Sequence, residues 1–362
     1  MKMKNNNGHS ESRRRFLATL ASGAVVAPAI LGESRAQAAT IPPPFEVRPA
    51  PKFCPKPGFV PAITLAGKVA VVTGASRGIG LAVGLALQAL GVQVIGTSRT
   101  PAAHPGHPFP LLSLDLVNPA SIQAFVAAVV GLPAVQGGID ILVNNAGRSV
   151  VGGVVPVDAN LYFTGIQTGL ATIYGGHVAV TSSLLQALFA RSATGYARIL
   201  FTTSVQAYTD GGGDLGLTYG HNYTSSKRAL LAYANGLRII LASGSAIKVS
   251  TLNPLWVNTD LASGTRPIFL QPVDANGNAI NDPTFQSVLD AFRARVANGL
   301  PTSYAAQAYV QLLTATNPEA NVVVGSDVEP YASQGGTSSL ITVLKDEMQQ
   351  SAVPWVAGPK KV

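Results

Sequence analysis

Short runs of consecutive apolar residues alternate along the chain with segments whose apolar positions recur every three or four residues. Uninterrupted apolar runs are typical of strands buried on both faces of a parallel sheet, and the periodic segments between them are typical of helices. Seven runs predict strands at 69–72, 92–97, 111–114, 139–143, 198–203, 247–252 and 321–324. The main helical segments are 79–90, 119–130, 164–190, 223–241 and 303–314.

Strands that alternate with helices from residue 65 to 330 predict an α/β fold, with a doubly wound, parallel, seven-stranded sheet in a single domain. The stretch 261–298 interrupts the alternation, and we interpret it as an insertion next to the substrate. Residues 331–362 are predicted to form a C-terminal tail, and the chain contains no internal repeat.

The first 38 residues have the pattern of an export signal. Residues 12–17 read SRRRFL, residues 18–32 are uncharged, and residues 36–38 read AQA, which fits a cleavage site. The paired arginines resemble a twin-arginine signal, and an ordinary secretory signal is the alternative. The apolar stretch is too short for a stable membrane span. We therefore predict a periplasmic protein without stable membrane insertion, in which residues 39–64 form a proline-rich N-terminal arm.

Charge and cysteine content exclude several classes of protein. Of the 362 residues, 47% are hydrophobic and 12% are charged, which argues against disorder. The first 38 residues hold six Lys/Arg and two Asp/Glu, so their removal lowers the net charge from +8 to +4. Because no dense Lys/Arg run remains, we expect no nucleic-acid partner. Cys54 is the only cysteine, which excludes an intramolecular disulfide, and it lacks companions for a metal site.

A glycine-rich turn joins the first predicted strand to the first helix, in the sequence KVAVVTGASRGIG of residues 68–80. Strand, tight turn and helix in this order set a helix N-terminus against a pyrophosphate. Gly74 allows the sharp turn, Gly78 admits the phosphates, and Gly80 lets the helix pack against the strand. Glycine clusters also occur in ordinary turns, so the strand and helix context carries the prediction. The predicted cofactor contacts here are Gly74, Ser76, Arg77, Gly78, Ile79 and Gly80.

Tyr223 and Lys227 are spaced i and i+4, so they share one face of a predicted helix. A nearby ammonium favours the phenolate and lowers the pKa of a phenol, which is about 10 in isolation. The pair can therefore give and take a proton during carbonyl–alcohol interconversion. Ser204 ends the fifth strand, at the sheet edge where such folds bind ligands, so its hydroxyl can orient the substrate oxygen. For the Tyr–Lys pair alone, a solvated helix face is the alternative interpretation.

Four motifs in this order, namely TGASRGIG, NNAG, a serine ending the fifth strand and YTSSK, resemble the short-chain dehydrogenase/reductase family over residues 65–330. The resemblance implies a Rossmann domain, a nicotinamide cofactor, and hydride transfer on a small-molecule carbonyl or alcohol. It implies that Tyr223 is the general acid/base and that Ser204 polarises the carbonyl. It also implies that Lys227 lowers the tyrosine pKa and binds the nicotinamide ribose.

The same resemblance implies further cofactor contacts. Asp115, followed by Leu116, matches the acid that contacts adenine, and Thr259 matches the threonine that contacts the carboxamide. Residues 144–147 would border the adenine side. The implied contacts are Asp115, Leu116, Asn145, Ala146, Gly147, Pro254, Val257 and Thr259, together with Tyr223 and Lys227.

Two positions depart from the family pattern. Counting back from Ser204 by the usual family spacing reaches His177, where the family has a catalytic asparagine. Either His177 acts in the catalytic relay in its place, or it is an ordinary packed or solvent-facing histidine. The usual Pro-Gly after the sixth strand is Pro254-Leu255 here, and we expect the following Trp256 to line the substrate side.

The residues after the second predicted strand favour NADP(H). An acid at this position would bind the adenosine ribose hydroxyls and repel a 2′-phosphate, but the sequence is Thr97-Ser98-Arg99. The guanidinium groups of Arg77 and Arg99 suit a 2′-phosphate through charge-assisted hydrogen bonds. NAD(H) with two ordinary surface arginines is the alternative.

Three functions are therefore open from the sequence: an NADP(H)-dependent oxidoreductase, which leads, an NAD-dependent dehydrogenase, and a nucleotide-binding protein that has lost turnover. The missing asparagine suggests the last of these. Residues 209–222 and 261–298 would shape the pocket for a moderately hydrophobic substrate, without a recognisable code. The family resemblance also implies a homodimer or homotetramer.

Overall fold

A computed structural model describes residues 61–148, 150–152, 159–208, 220–262, 268–270, 283–325 and 355–357, together with 274, 276, 278 and 280. These residues all belong to one compact unit, 48–362. The predicted export signal and most of the predicted N-terminal arm and C-terminal tail lie outside the described residues.

The strands and helices follow one another in the predicted alternation. The strands are β1 (Val69–Val72), β2 (Gln93–Ser98), β3 (Leu111–Ser113), β4 (Ile141–Asn144), β5 (Val150–Gly152), β6 (Ala197–Thr202), β7 (Ile247–Pro254), β8 (Ile268–Leu270), β9 (Asn321–Gly325) and β10 (Trp355–Ala357). The α-helices are α1 (Gly78–Ala89), α2 (Pro119–Val130), α3 (Ala159–Leu170), α4 (Gly176–Ser192), α5 (His221–Ala242), α6 (Pro283–Ala297) and α7 (Thr302–Thr314).

The main sheet is parallel throughout, in the order β10-β9-β7-β6-β4-β1-β2-β3. The chain runs outward from β1 through β2 to β3, and then returns to start the other half at β4. The order therefore reverses between β1 and β4, and a doubly wound sheet binds its ligand outside the carboxyl ends of the strands at such a point.

Alternate residues of β1 enter two different cores, as expected for a strand covered on both faces. Ala70 and Val72 pack in the core that contains residues of α1 and α7, among them the fully buried Tyr309. Val69 and Val71 pack in the core that contains residues of α2, α4 and α5. The uninterrupted apolar run thus reflects helices on both sides of the sheet.

The predicted α/β fold with a doubly wound parallel sheet is confirmed, and all seven predicted strands are present. The sheet has one strand more than predicted, because β10, from the segment predicted as a tail, pairs with β9. A run of three residues is too short to distinguish a strand from a loop by pattern. The insertion also contributes a strand, since β8 pairs with β5 in a separate two-stranded sheet.

The helix predicted at 164–190 is interrupted. A π-helical turn, Ala171–Gly175, separates α3 from α4. A Cβ atom on Gly176 would lie 2.5 Å from the Leu116 carbonyl oxygen, so only glycine lets α4 approach the segment after β3 this closely. π-Turns inside helices are frequent near functional sites.

None of the helices in the described ranges is long and apolar enough to cross a membrane.

Candidate active site

A cavity of about 660 Å³ opens at the carboxyl edge of the main sheet, lined by residues that follow or end β1, β2, β4, β6 and β7. Residues predicted from four separate motifs meet there. Those that line the cavity are Gly74, Ser76, Arg77, Gly78, Ile79, Arg99, Asp115, Leu116, Asn145, Ala146, Gly147, Ser204, Tyr223, Lys227, Pro254, Val257 and Thr259. Two predicted residues, Gly80 and His177, are not in the lining.

The glycine turn has the backbone shape that its sequence predicts. Gly74 and Gly78 have φ angles of 64° and 56°, in the left-handed region that side chains other than glycine rarely adopt. A Cβ atom on Gly80 would lie 2.3 Å from the Gly74 carbonyl oxygen, so Gly80 serves the close packing of α1 under the turn. Helix α1 begins at Gly78 without a side-chain cap from Arg77. Its first amide groups therefore suit an anionic ligand.

The segment after β4 is attached to this turn by hydrogen bonds. The backbone amides of Asn145 and Ala146 both donate to Thr73 Oγ1, at 2.9 and 3.0 Å. The Asn145 side chain donates to the Thr73 carbonyl at 3.1 Å and accepts from Thr202 Oγ1 at 3.1 Å. Asn145 thus connects the ends of β1, β4 and β6 and fixes the positions of these three strand ends relative to one another.

Ser204, Tyr223 and Lys227 come together at one end of the cavity. Tyr223 lies in the first turn of α5 and shares a hydrogen bond with the Ser204 hydroxyl. Lys227, one turn later, is 3% exposed, and its Nζ donates to the Thr202 carbonyl at 2.7 Å. The same Nζ lies 5.6 Å from the centre of the Tyr223 ring. A phenol, a hydroxyl and an amine therefore face a common space.

Burial determines the acid–base character of this group. It raises the pKa of the Tyr223 phenol to about 12, against the opposing effect of the Ser204 hydrogen bond. It also lowers the pKa of Lys227 to about 7. The sequence led us to expect that the lysine would lower the tyrosine pKa, and here the direction is the reverse. Loss of phenolate hydration outweighs the other effects, and the amine is bonded to the Thr202 carbonyl.

His177 lies beneath the loop after β4, and its side chain is 1% exposed. Burial lowers its pKa to about 4, so the ring is neutral near pH 7. Its Nε2 lies 2.7 Å from the Ala146 carbonyl, which can only accept, so Nε2 carries the proton and donates it. Nδ1 lies 3.3 Å from Asn144 Oδ1, and the Asn144 amide nitrogen donates to Thr181 Oγ1. The structure does not bring His177 to the cavity; it supports the loop that does line it.

Three arginines line the cavity, one more than the sequence analysis identified: Arg77, Arg99 and Arg148. Arg148 directly follows the NNAG segment. Its pKa is lowered first by burial and then by the charge of Arg99, while Asp115 acts in the opposite direction. Arg99, Arg148 and Asp115 are therefore close enough to interact electrostatically. The sequence could have indicated Arg148 as a cavity residue, because it directly follows the NNAG motif, which ends at the cavity edge.

Residues 255–257, which follow β7, form an apolar stretch of the cavity wall, and helix α6 extends it. The loop contributes Leu255, Trp256 and Val257, and α6 contributes Phe292 and Val296. Trp256, which we expected on the substrate side, lines the cavity. Phe292 and Val296 lie in the predicted insertion, where the sequence pattern gave no indication of which residues would face the site.

Comparison with known proteins agrees with this arrangement. The family model "short chain dehydrogenase" matches residues 68–267. A "Dehydrogenase/reductase SDR family protein 7-like" from Anopheles gambiae is 32% identical over 214 residues, which is 55% of this chain and 62% of that protein. The chain thus matches less than two thirds of that relative's length. A "Granaticin polyketide synthase putative ketoacyl reductase 1" from Streptomyces violaceoruber is 32% identical over 56% of this chain and 72% of that protein.

Among solved structures, "a short chain dehydrogenase/reductase SDR from Burkholderia phymatum in complex with NAD" superposes with a TM-score of 0.59. The similarity covers 83% of this chain and 99% of that one, at 19% identity, and supports the fold alone. The family model covers more than half of the chain and contains the glycine turn, Ser204, Tyr223 and Lys227. The chain therefore belongs to the short-chain dehydrogenase/reductase family.

Proposed function

We propose that this protein is an NADP(H)-dependent oxidoreductase that interconverts a ketone or aldehyde and the corresponding alcohol. The observation that carries the proposal is the meeting of Ser204, Tyr223 and Lys227 in the same cavity as the glycine turn. One part of that cavity suits a dinucleotide, and the other presents a proton donor to a substrate oxygen.

The residues present fit a nicotinamide dinucleotide. Side chains other than glycine would clash or strain the backbone at Gly74 and Gly78, as expected where a backbone must approach phosphates closely. The turn and the start of α1 would hold the pyrophosphate, and residues 115–116 and 145–147 would hold the adenosine part. Pro254, Val257 and Thr259 would hold the nicotinamide part. When bound, the cofactor supplies or accepts the hydride.

Tyr223 acts as the general acid in the direction of reduction. With a pKa of about 12, the phenol is protonated near neutral pH and can donate its proton to the carbonyl oxygen as negative charge develops there. Ser204 orients that oxygen by a second hydrogen bond. Lys227, with a pKa of about 7, carries partial positive charge at neutral pH next to the phenol. In the direction of oxidation the same phenol must first lose its proton.

Preference for NADP(H) is supported by the cations that line the cavity. Arg77, Arg99 and Arg148 suit a 2′-phosphate, and β2 ends in Ser98 without an acid. Use of NAD(H) is the alternative, and the NAD complex of the Burkholderia phymatum protein illustrates it for that structure.

Replacement of Tyr223 by Phe tests the proposal and separates it from a binding protein without turnover. The change removes the transferable proton and keeps the ring, so kcat for carbonyl reduction should fall by about 10² to 10⁴. The Kd for NADPH, measured by fluorescence titration, should change by less than about threefold, because no charge is removed. Tyr174→Phe, at a tyrosine outside the cavity lining, is the matched control. Wild-type turnover in Tyr223→Phe would refute the assignment.

We also propose export to the periplasm by the twin-arginine route, which the sequence of residues 12–17 supports. Changing Arg13 and Arg14 to lysine should leave the precursor in the cytoplasm, measured by fractionation and immunoblotting. An unchanged periplasmic yield would point to the general secretory route instead.

Self-association as a homodimer or homotetramer is a further proposal. It is supported by two adjacent aliphatic side chains near the end of α5, Ile239 and Ile240, which are 75% and 71% exposed. Sedimentation analysis of the wild type and of Ile239→Lys tests it. A wild-type monomer at assay concentrations would contradict the proposal.

A further inference from the structure

Trp256 has an unusual backbone conformation for a large side chain. Its φ angle is 36°, and it is the only non-glycine residue of the described ranges with a positive φ. Strained conformations of this kind persist only where the surroundings enforce them, and they concentrate at functional sites. Neighbouring segments must therefore hold Trp256 in this conformation, which marks it as a candidate functional residue.

The cause lies in the connection between α6 and α7. The Leu300 amide donates to the Trp256 carbonyl at 2.9 Å, and the Asn258 amide donates to the Leu300 carbonyl at 2.8 Å. A Cβ atom on Gly299 would lie 2.5 Å from the Trp256 carbonyl oxygen, so glycine is needed for this approach. The main chain from Trp256 to Asn258 is thus paired with Leu300, a residue of a segment that is distant in sequence.

The indole ring of Trp256 is fixed by α6. Phe292 meets it edge to face, with ring centres 6.2 Å apart and an interplanar angle of 66°. The guanidinium carbon of Arg295 lies 5.6 Å from the indole centre. Edge-to-face aromatic pairs and cation–π contacts both restrict ring orientation. Trp256 and Phe292 therefore form a preorganised aromatic wall in the cavity.

The side chains around this wall determine which kind of ligand group can bind against it. Leu255, Val257 and Val296 also line the cavity and are buried apolar side chains. Asp260 adds a carboxylate to the lining. Arg148 interacts with both Arg99 and Asp115, and Asp115 belongs to the part of the cavity assigned above to the adenosine moiety.

We infer that Trp256 and Phe292 form the subsite for a planar, uncharged apolar group next to the reacting carbon, so that aryl ketones and the corresponding benzylic alcohols are the preferred substrate class. The inference rests on the proposed oxidoreductase function. A flat ring can stack against an indole that is already held in place, and it loses little conformational freedom on binding. A saturated ring of equal carbon count is thicker and lacks this interaction.

The test compares acetophenone with cyclohexyl methyl ketone, which has the same carbon skeleton, and with butanone, using the full chain and NADPH. We expect kcat/KM for acetophenone to exceed that for cyclohexyl methyl ketone by about tenfold or more. Trp256→Leu and Phe292→Leu should each lower this ratio at least about fivefold, mainly through KM. Trp256→Phe should retain most of the ratio, because an aromatic face remains. Phe163→Leu, at a 60% exposed phenylalanine outside the cavity lining, should retain all of it.

An unchanged ratio in both leucine variants would overturn the inference, as would a wild-type preference for cyclohexyl methyl ketone or for a short β-ketoacyl thioester. Calorimetric titration of acetophenone into the NADPH-bound protein gives a readout that does not depend on turnover. Binding that weakens in Trp256→Leu, without turnover of any ketone, would support the subsite and refute the proposed function. Absence of both binding and turnover would refute both.

Discussion

The buried ammonium group of Lys227 donates a hydrogen bond of 2.7 Å to the main-chain carbonyl of Thr202, the last residue of β6. The Thr202 hydroxyl donates to Asn145 Oδ1 at 3.1 Å and lies 2.5 Å from the Tyr309 hydroxyl, which donates to it. Thr202 thus connects helix α5, the loop after β4 and helix α7. The position of the lysine is set by the end of a strand rather than by the tyrosine one turn away.

Burial of Lys227 makes stability depend on pH. Its pKa is about 7 in the folded protein, against an ordinary value of 10.5. Between these values the unfolded chain binds more protons, so the free energy of unfolding rises with pH through this window. The cost of burying the charge is fully present below pH 7. The free energy of unfolding below pH 7 and that above pH 10.5 therefore differ by about 5 kcal/mol, at about 1.4 kcal/mol per pKa unit.

Urea denaturation of the wild type and of Lys227→Met at pH 6, 8 and 10 measures this dependence. Methionine does not titrate, so the wild-type free energy of unfolding should rise relative to that of the variant between pH 6 and 10. A constant difference across this range would mean that Lys227 titrates as an exposed lysine does.

The high pKa of Tyr223 predicts opposite pH profiles for the two reaction directions. With a pKa of about 12, the phenol stays protonated from pH 6 to 9, so reduction should vary little through this donor. Oxidation needs the phenolate, whose fraction rises about tenfold per pH unit in this range. Initial rates at constant ionic strength should therefore give a log kcat/KM for alcohol oxidation that climbs with a slope near one. A plateau from pH 7.5 upward would show instead that the tyrosine pKa is lowered in the reacting complex.

Two glycines in helices should respond in opposite ways to alanine. A Cβ on Gly80 would meet the Gly74 carbonyl oxygen at 2.3 Å and Asn145 Nδ2 at 2.5 Å, so Gly80→Ala must displace the turn. We expect a loss of about 1–3 kcal/mol in stability, with weaker cofactor binding. Gly236, in α5, has nothing within 4 Å of its Cβ position. Gly236→Ala should stabilise the protein by about 0.5–1 kcal/mol. Thermal denaturation compares the two, and equal effects would contradict the packing argument.

The strands and the motifs that meet at the candidate site were readable from the sequence, because local pattern determines both. The apolar run 69–72 predicts a strand buried on both faces without any knowledge of which strands lie beside it. Tyr223 and Lys227 share a helix face because of their spacing alone. The choice of His177 relied on counting residues along the chain. The π-turn at Ala171–Gly175 and the close contact of Gly176 with Leu116 place that histidine under the loop.

Other features depend on segments that are far apart in sequence. The contact between Trp256 and Phe292 exists only because α6, from the insertion, packs over the loop after β7. The cluster of Arg148 with Arg99 and Asp115 joins the ends of three strands. Burial raises the pKa of Tyr223, and the spacing of Tyr223 and Lys227 in the sequence does not reveal that burial. Local pattern carries no information on any of these distances.

The arginines of the cavity give the prediction on cofactor choice. Arg77, Arg99 and Arg148 line the cavity, and we propose that they bind a 2′-phosphate. Each charge-assisted hydrogen bond to it would contribute about 1.5–3 kcal/mol. Replacing Arg77 or Arg99 by alanine should therefore weaken NADPH binding by about tenfold to a hundredfold. NADH lacks the phosphate, so its Kd should change little. Fluorescence titration at fixed salt measures the Kd of NADPH and the Kd of NADH for the wild type and for each variant.

Arg148 allows a sharper version of the same test, because it interacts with both Arg99 and Asp115. If it faces the 2′-phosphate, Arg148→Gln should weaken binding of adenosine 2′,5′-bisphosphate but not of 5′-AMP, which differs by that phosphate alone. If it serves only to hold Asp115, both fragments should weaken together. Arg293→Gln, at an exposed arginine paired with Asp290 on α6, is the control and should affect neither. Equal losses for the two fragments in all three cavity variants, or tighter binding of NADH than of NADPH by the wild type, would refute the preference for NADP(H).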